Sequence, residues 1–232
     1  LGVVTIMSGL MILLHKKMGI NDRLLLQDAF NLNSLSGLVR FVKKVVIGTL
    51  VIEGIGALLY MTVFIPDFGS KGIWISIFTS ISAFCNAGID IIAENSLCDY
   101  ALNPMVNTVT CLLIVIGGIG YIVWWDIIRV IKNIRQNKRK IFGNLTLHSK
   151  IAIISTLLLI IVGAILVFVL EYDNPQTLKD YTLLQKIEVS FFQSVTTRTA
   201  GFATLPQENL TNATAVVCLL LMFIGGSPVG TA

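Results

Sequence analysis

Charged residues are scarce in this sequence of 232 residues. Only 13% of them are Asp, Glu, Lys or Arg, whereas 55% are hydrophobic and the mean hydropathy is +0.83. Soluble globular domains carry about 25% charged residues. The composition therefore excludes an ordinary soluble domain and places the chain in a lipid bilayer.

Cysteine and histidine are also few, and their spacing does not fit a metal site or a disulfide framework. No CxxC pair occurs, and neither histidine has a second ligand type nearby; the residues concerned are Cys85, Cys98, Cys111, Cys218, His15 and His148. We interpret the cysteines as small apolar residues and the histidines as boundary residues. We also find no nucleophile, carboxylate pair or metal cluster at matched depth. We therefore expect no cofactor and no enzymatic chemistry.

Long apolar runs are present instead, and two of them have the roughly 20 residues that a helix needs to cross a bilayer. They cover residues 45–65 and 151–170. Two further spans are predicted over residues 104–133 and 212–232, the second interrupted by glycines and a proline. Residues 1–20 are interpreted as the end of another span. The sequence does not begin with methionine, so we expect it to be a piece of a longer protein.

The position of the charges predicts the orientation in the membrane. Thirteen of the 17 basic residues fall within residues 16–44 and 129–150, which the positive-inside rule places in the cytoplasm. Residues 66–104 and 171–210 are then extracytoplasmic, and acidic residues predominate there. We expect a multi-pass protein of the plasma membrane, with the lipid bilayer as its surroundings and no nucleic acid partner.

Each extracytoplasmic segment contains a stretch that is too apolar for a loop and too short for a span. These stretches cover residues 73–90 and 184–203, and we interpret them as re-entrant segments that enter and leave the membrane from one face. The alternative is a pair of short interfacial helices that pack on the outer surface.

An internal repeat relates the two halves of the chain. The matched glycines are Gly88 with Gly201, Gly54 with Gly163, and Gly117 with Gly225, at offsets of 113, 109 and 108 positions. The repeated unit is a span, a re-entrant segment and a second span. We assign repeat two to residues 40–135 and repeat three to residues 148–232, so that residues 1–20 end repeat one.

The re-entrant glycines suit the coordination of a cation in the membrane. A ring of backbone carbonyls replaces the hydration shell of the ion, and glycine allows the positive φ angles that such a strand needs. Short helices over residues 75–84 and 184–196 would direct their negative C-terminal ends towards the ion. The predicted filter residues are Asn86, Ala87, Gly88, Ile89, Thr199, Ala200, Gly201 and Phe202.

Three motifs in the sequence carry a resemblance to a known family. Residues 82–88, 194–202 and 225–232 resemble signatures of the Trk/Ktr/HKT potassium transporter superfamily, in particular its bacterial KtrB type of membrane subunit. The resemblance implies an all-α membrane fold of four span, pore-helix, span repeats around one pore. It also implies potassium as the transported substrate, sodium as an activator in some members, a homodimer, and a cytosolic nucleotide-binding regulatory subunit.

Two further elements are assigned near the filter. By the resemblance, the segment that breaks the last span is an intramembrane gate, which consists of Gly225, Gly226, Ser227, Pro228, Val229, Gly230 and Thr231. Arg198 precedes the second filter strand, where a side chain facing the pore would repel potassium. We therefore expect Arg198 to point behind the filter and to support the strand through carboxylate or carbonyl partners.

The predicted function is potassium uptake by the ion-translocating subunit of a Trk/Ktr-type transporter. A sodium-permeable or sodium-coupled transporter of the same architecture is one alternative. A scaffold subunit of an ion-pumping membrane complex, which does not itself conduct, is another. The paired glycine segments favour a conducting subunit, because a scaffold has no need of re-entrant backbone.

Overall fold

The computed structural model of the protein describes residues 38–92, 95–132 and 142–226, with side chains from residue 43 onward. Residues 1–20, predicted to end an earlier repeat, lie outside this part. Within it all the long elements are helices: α1 (Leu38–Phe68), α2 (Lys71–Phe84), α3 (Pro104–Ile119), α4 (Tyr121–Lys132), α5 (Leu147–Glu171), α6 (Leu183–Thr196) and α7 (Asn212–Ile224). Helices α1 and α2 pack together, as do α5 and α6.

Two of these helices are long and apolar enough to cross a membrane. Lys43–Phe68 of α1 has a mean hydropathy of 1.9, and Leu147–Glu171, which is α5, has one of 3.2. Large apolar side chains on both helices face outward; Leu58 and Val169, for example, are each 64% exposed. This exposure suits lipid, which solvates apolar side chains that water does not. The chain is an all-α membrane protein.

A third candidate span is bent. The sequence predicts one span over residues 104–133, but the structure divides it into α3 and α4, whose axes differ in direction by 95°. The break falls at Gly120, whose φ of +91° is readily adopted only by glycine. Trp124 donates its indole N–H to the Ile116 carbonyl at 2.8 Å, within the last turn of α3. The indole also packs edge-on against Phe84, the last residue of α2.

Replacing Trp124 with phenylalanine is expected to lower the free energy of unfolding by about 1 kcal/mol, the usual net value of one hydrogen bond. The aromatic contacts survive this change, whereas the bond to the Ile116 carbonyl is lost. Thermal denaturation of the complete subunit in detergent measures the effect. Trp125→Phe is the matched control, because the Trp125 indole nitrogen has no partner among the described residues. Equal losses in the two variants would contradict the role of Trp124.

A hydrogen bond from a serine to a backbone carbonyl joins the long helix to the short helix in each half of the chain. Ser80 of α2 donates to the Glu53 carbonyl of α1 at 2.7 Å. In the second half, Ser194 of α6 donates to the Ile160 carbonyl of α5 at 2.8 Å. The first half therefore consists of α1, α2 and α3, the second consists of α5, α6 and α7, and α4 connects them.

A glycine faces each of these serines. Their positions change the alignment of Gly54 with Gly163 that was made from sequence. A Cβ at Gly56 would meet Ser80 Oγ at 2.5 Å and Leu113 of α3 at 2.9 Å. A Cβ at Gly163 would likewise overlap Ser194 Oγ and meet Leu221 of α7 at 2.9 Å. Gly56, two residues after the predicted Gly54, is thus the counterpart of Gly163. Gly54 itself has no atom within 4 Å of an added Cβ. Close helix packing, rather than the sequence alignment, pairs Gly56 with Gly163.

Buried carboxylates cap helices at opposite ends of the molecule. Asp126 accepts hydrogen bonds from the backbone and side chain of Thr146, the N-cap of α5. Glu171 is fully buried and accepts bonds from the backbone and side chain of Thr211, the N-cap of α7. Arg129 pairs with Asp126 at the first end. The orientation of the two ends across the membrane stays a prediction from the charge distribution.

Candidate functional site

Helices α2 and α6 each end where a predicted filter strand begins. Helix α2 stops at Phe84, and Asn86 and Gly88 then take φ angles of +51° and +63°. Helix α6 stops at Thr196, and Thr199 and Gly201 take φ angles of +76° and +90°. Residues other than glycine, asparagine and aspartate rarely adopt such angles. The two strands therefore share an uncommon backbone path, in which positive angles alternate with ordinary ones.

The two strands lie in direct contact. A Cβ added to Gly88 would overlap the carbonyl oxygen of Ala200 and meet Gly201 Cα at 2.6 Å. A Cβ added to Gly201 would stand 3.2 Å from Gly88 Cα and 3.9 Å from the Ala87 carbonyl oxygen. The glycines thus meet at the centre of the pair, next to the carbonyl groups of Ala87 and Ala200. Both glycines are required by close backbone approach as well as by their φ angles.

Hydroxyl groups of the short helices fix the far ends of the strands. Ser82 of α2 accepts a hydrogen bond from the Ile89 backbone N–H at 3.0 Å. Thr196 of α6 donates to the Phe202 carbonyl at 2.6 Å. The Phe202 carbonyl, which the sequence analysis predicts to be one of the ligands, therefore accepts a hydrogen bond from α6.

The near end of the first strand is tied to α3. With its amide nitrogen directed to the helix, Asn86 donates to the Ile114 carbonyl at 3.3 Å and to the Ala83 carbonyl at 3.1 Å. In this orientation the amide oxygen lies 3.1 Å from the position of a Cβ on Gly118. Asparagine therefore does two things here, since it tolerates a positive φ and anchors the strand.

Arg198, which comes just before the second strand, is buried. Its guanidinium group donates to the Gly225 carbonyl at 3.3 Å from both Nε and Nη2, and to the Thr156 carbonyl at 3.4 Å from Nη1. The partners are carbonyls of α5 and of the residue that follows α7. No carboxylate pairs with Arg198 in the described residues. The side chain thus joins the base of the strand to the point where the last helix ends.

A cavity of about 420 Å³ opens beneath the strands, on the side away from the acidic loops. Asn86 and Thr199 line it, together with residues 84–85, 117–118, 120–121 and 222–226. A Cβ at Gly226 would stand 3.7 Å from both the Thr199 hydroxyl and the Gly118 carbonyl. The predicted gate thus begins directly below the second strand. Its other members, Ser227, Pro228, Val229, Gly230 and Thr231, lie outside the described residues.

The acidic loop of the first half reaches over the second strand. Leu97 donates its backbone N–H to the Ala203 carbonyl at 2.9 Å, and Ser96 Oγ accepts from the Ala203 N–H at 3.3 Å. The Cys98 thiol also donates to that carbonyl at 3.7 Å. Burial and nearby carboxylates raise the pKa of this thiol, so that it keeps its proton at neutral pH. These contacts attach the loop to the residue that follows the second strand.

The site offers backbone oxygens rather than side-chain chemistry. In the described residues no group of three or more His, Cys, Asp or Glu side chains could hold a metal ion. Helices α2 and α6 are each 14 residues long and end at the strands, so their negative dipole ends favour a cation there. Such an arrangement can bind a dehydrated monovalent cation without adding a fixed charge.

Several of these contacts were not predicted from the sequence. The anchoring roles of Ser82, Thr196 and Asn86 depend on local geometry, and the bond from Leu97 to Ala203 joins residues more than 100 positions apart. The only sequence signal was the presence of hydroxyl residues just before each glycine segment, such as Ser82 and Thr196.

Comparison with known proteins covers the whole chain. A family model described as "TrkH: Cation transport protein" matches residues 1–232. Ktr system potassium uptake protein B of Bacillus subtilis (strain 168) is 38% identical over 233 residues, which cover 100% of this chain and 50% of that protein. Potassium/sodium uptake protein NtpJ of Enterococcus hirae is 39% identical over 218 residues, which cover 94% of this chain and 46% of that protein.

A third relative is also a potassium uptake protein by name. Ktr system potassium uptake protein B of Vibrio alginolyticus is 32% identical over 232 residues, which cover 100% of this chain and 49% of that protein. The chain thus spans about half the length of the curated relatives it matches. The family match includes every described helix and both glycine segments that form the site. The chain belongs to the TrkH family of cation transport proteins.

Proposed function

We propose that the chain is part of a potassium uptake subunit and supplies two of the backbone strands that coordinate the ion. The strands are Asn86–Ile89 and Thr199–Phe202, and their carbonyl groups next to Gly88 and Gly201 act as ligands. The complete subunit transports cations across the plasma membrane and catalyses no covalent reaction. In this proposal the chain contains repeats two and three of a pore built from four such units.

The contact between the two glycines is the observation that carries the proposal. Gly88 and Gly201 lie side by side, each at the end of a short helix and each with a positive φ angle. Interfacial helices that only covered the outer surface would have no need to bring two such strands together. The cavity of about 420 Å³ below the strands supplies a wet route for the ion. It also solvates backbone groups that lipid would leave without hydrogen bonds.

The segment from Gly225 to Thr231 is proposed as the gate of this route. Gly225 takes a φ of +68° immediately after α7, and Gly226 lies against Thr199 at the base of the filter. A segment in this position obstructs the cavity exit when it is closed. Arg198 couples the gate to the filter, because it holds the Gly225 carbonyl while it precedes the strand.

The partners follow from the resemblance. We infer a homodimer of membrane subunits and a cytosolic nucleotide-binding subunit that docks near residues 129–150. The names of two relatives refer to a Ktr system, which supports a multi-component transporter. Sodium transport or sodium activation is the second candidate function, because the Enterococcus relative is named for both potassium and sodium.

Uptake measurements in a bacterial strain without its own potassium transporters test the proposal. The complete subunit, expressed with its regulatory subunit, is expected to restore growth at low potassium and to take up potassium in preference to sodium. Uptake of both ions at equal rates would favour the sodium-permeable alternative over a potassium-selective filter. Absence of uptake of either ion, with the protein present in the membrane, would support the scaffold alternative instead.

A further inference from the structure

A second cavity lies on the membrane-facing side of the molecule, away from the filter. It has a volume of about 450 Å³ and is bounded by α3, α5 and α6. Its walls are mainly apolar and include Leu112, Leu157, Ile161 and Phe191. These four side chains are between 43% and 55% exposed, so the cavity is an open groove between helices. Only its end near the acidic loops is polar.

The polar end is built around one carboxylate. Asn107 of α3 is 2% exposed and donates its amide nitrogen to Glu188 of α6 at 3.0 Å. The same nitrogen donates to the Ala101 carbonyl at 2.8 Å, which fixes the orientation of the amide. Glu188 forms no ion pair with a Lys or Arg in the described part of the chain. Asn107 therefore holds an uncompensated carboxylate at the mouth of an apolar groove.

A buried oxygen lies beside this carboxylate. The amide oxygen of Asn107 is buried and has no hydrogen-bond partner among the described residues. Buried polar atoms without partners are uncommon in folded proteins. The polar end of the groove thus presents one carboxylate that has no cationic partner among the described residues, while the body of the groove offers mainly apolar surface.

We propose that this groove binds a phospholipid with a primary ammonium headgroup, such as phosphatidylethanolamine, from the outer leaflet. One acyl chain lies along α3 and α5, and the ammonium group donates to the Glu188 carboxylate. Asn107 is a positioning residue, since it holds that carboxylate at the groove mouth. The site is separate from the ion route and goes beyond the proposed transport function.

The chemistry of the groove favours this occupant over others. The flanking helices α1 and α5 cross the membrane, so acyl chains surround the open side of the groove. An anionic headgroup would be repelled by Glu188, and a choline headgroup carries the positive charge without an N–H donor. A free cation would leave the apolar walls unfilled.

Native mass spectrometry of the complete subunit can test this site. The purified protein is exchanged into equal amounts of ethanolamine, choline and glycerol phospholipids with the same acyl chains. We expect about fivefold more retained ethanolamine lipid than glycerol lipid, the upper range for one partly exposed ion pair. Glu188→Gln should reduce this preference to less than about twofold. Glu208→Gln, at an exposed acid outside the groove, is the matched control and should keep the preference.

A second variant keeps Glu188 and fills the groove. Thr108 is exposed at its edge, and Thr108→Trp should displace the retained lipid whatever its headgroup. Unchanged retention in this variant would overturn the proposal, as would an unchanged headgroup preference in Glu188→Gln. Efficient cross-linking of Thr108→Cys to another protein segment would also overturn it, because protein would then occupy the groove.

Discussion

Gly88→Ala is expected to reduce potassium uptake by the complete subunit at least about tenfold, because a left-handed angle alone costs a side chain about 1–2 kcal/mol. The new Cβ would also overlap the Ala200 carbonyl oxygen, which is fixed backbone rather than a movable side chain. The strand must therefore shift, and the carbonyl ligands shift with it. Uptake of potassium and sodium into cells, normalised to the amount of protein in the membrane, measures the loss.

Gly201→Ala should have a smaller effect on uptake than Gly88→Ala. Its φ of +90° is strained for alanine, but the nearest atom to the new Cβ is Gly88 Cα at 3.2 Å. Discrimination between potassium and sodium should weaken in both variants. Gly54→Ala is the matched control, because no atom lies within 4 Å of its Cβ and alanine favours the helix. Wild-type selectivity in both filter variants would show that these glycines are not part of the ion route.

Arg198→Gln is expected to lower potassium uptake about tenfold or more, since each hydrogen bond from a charged group contributes about 1.5–3 kcal/mol. The substitution removes the guanidinium donor from the Gly225 and Thr156 carbonyls. The base of the second strand and the start of the gate then lose the group that joins them. Arg198→Lys keeps the charge but cannot span both carbonyls with one planar group, so it should restore uptake only in part.

Cys85 provides the control for Arg198. It precedes the first strand as Arg198 precedes the second, but its sulfur makes only a contact of 4.0 Å with Glu53. Cys85→Ser should therefore leave uptake close to that of the wild type. Thermal denaturation of the same variants separates loss of transport from loss of folded protein. An Arg198→Gln variant that is folded and fully active would contradict the coupling between filter and gate.

Much of the fold follows from apolar length and from glycine. The predicted spans over residues 45–65 and 151–170 fall within α1 and α5, because a run of 20 apolar residues has few structural alternatives. The predicted pore helices end at Phe84 and Thr196, as α2 and α6 do. Their ends are visible in the sequence because small polar residues and a glycine follow each apolar stretch.

Other features depend on contacts that no local pattern reveals. The bend after α3 falls at Gly120, although Gly117 and Gly118 are equally good candidates by composition. Trp124 pairs with the Ile116 carbonyl across the bend, and Gly117 packs against the Phe84 backbone, so contacts distant from Gly120 accompany its position. The match of Gly56 with Gly163 likewise requires knowledge of which glycine faces a serine on the neighbouring helix. Tertiary packing decides both outcomes, so sequence spacing could not.

The central claim is that the carbonyl groups beside Gly88 and Gly201 coordinate the transported ion. Thallium(I) is a heavy monovalent substitute for potassium, and its anomalous scattering locates it directly. In crystals of the complete subunit grown with thallium, the account predicts an anomalous peak bonded to the Ala87 and Ala200 carbonyl oxygens, weakened when potassium is added in excess. A protein with thallium bound elsewhere in the membrane region, and none at these carbonyls, would contradict it.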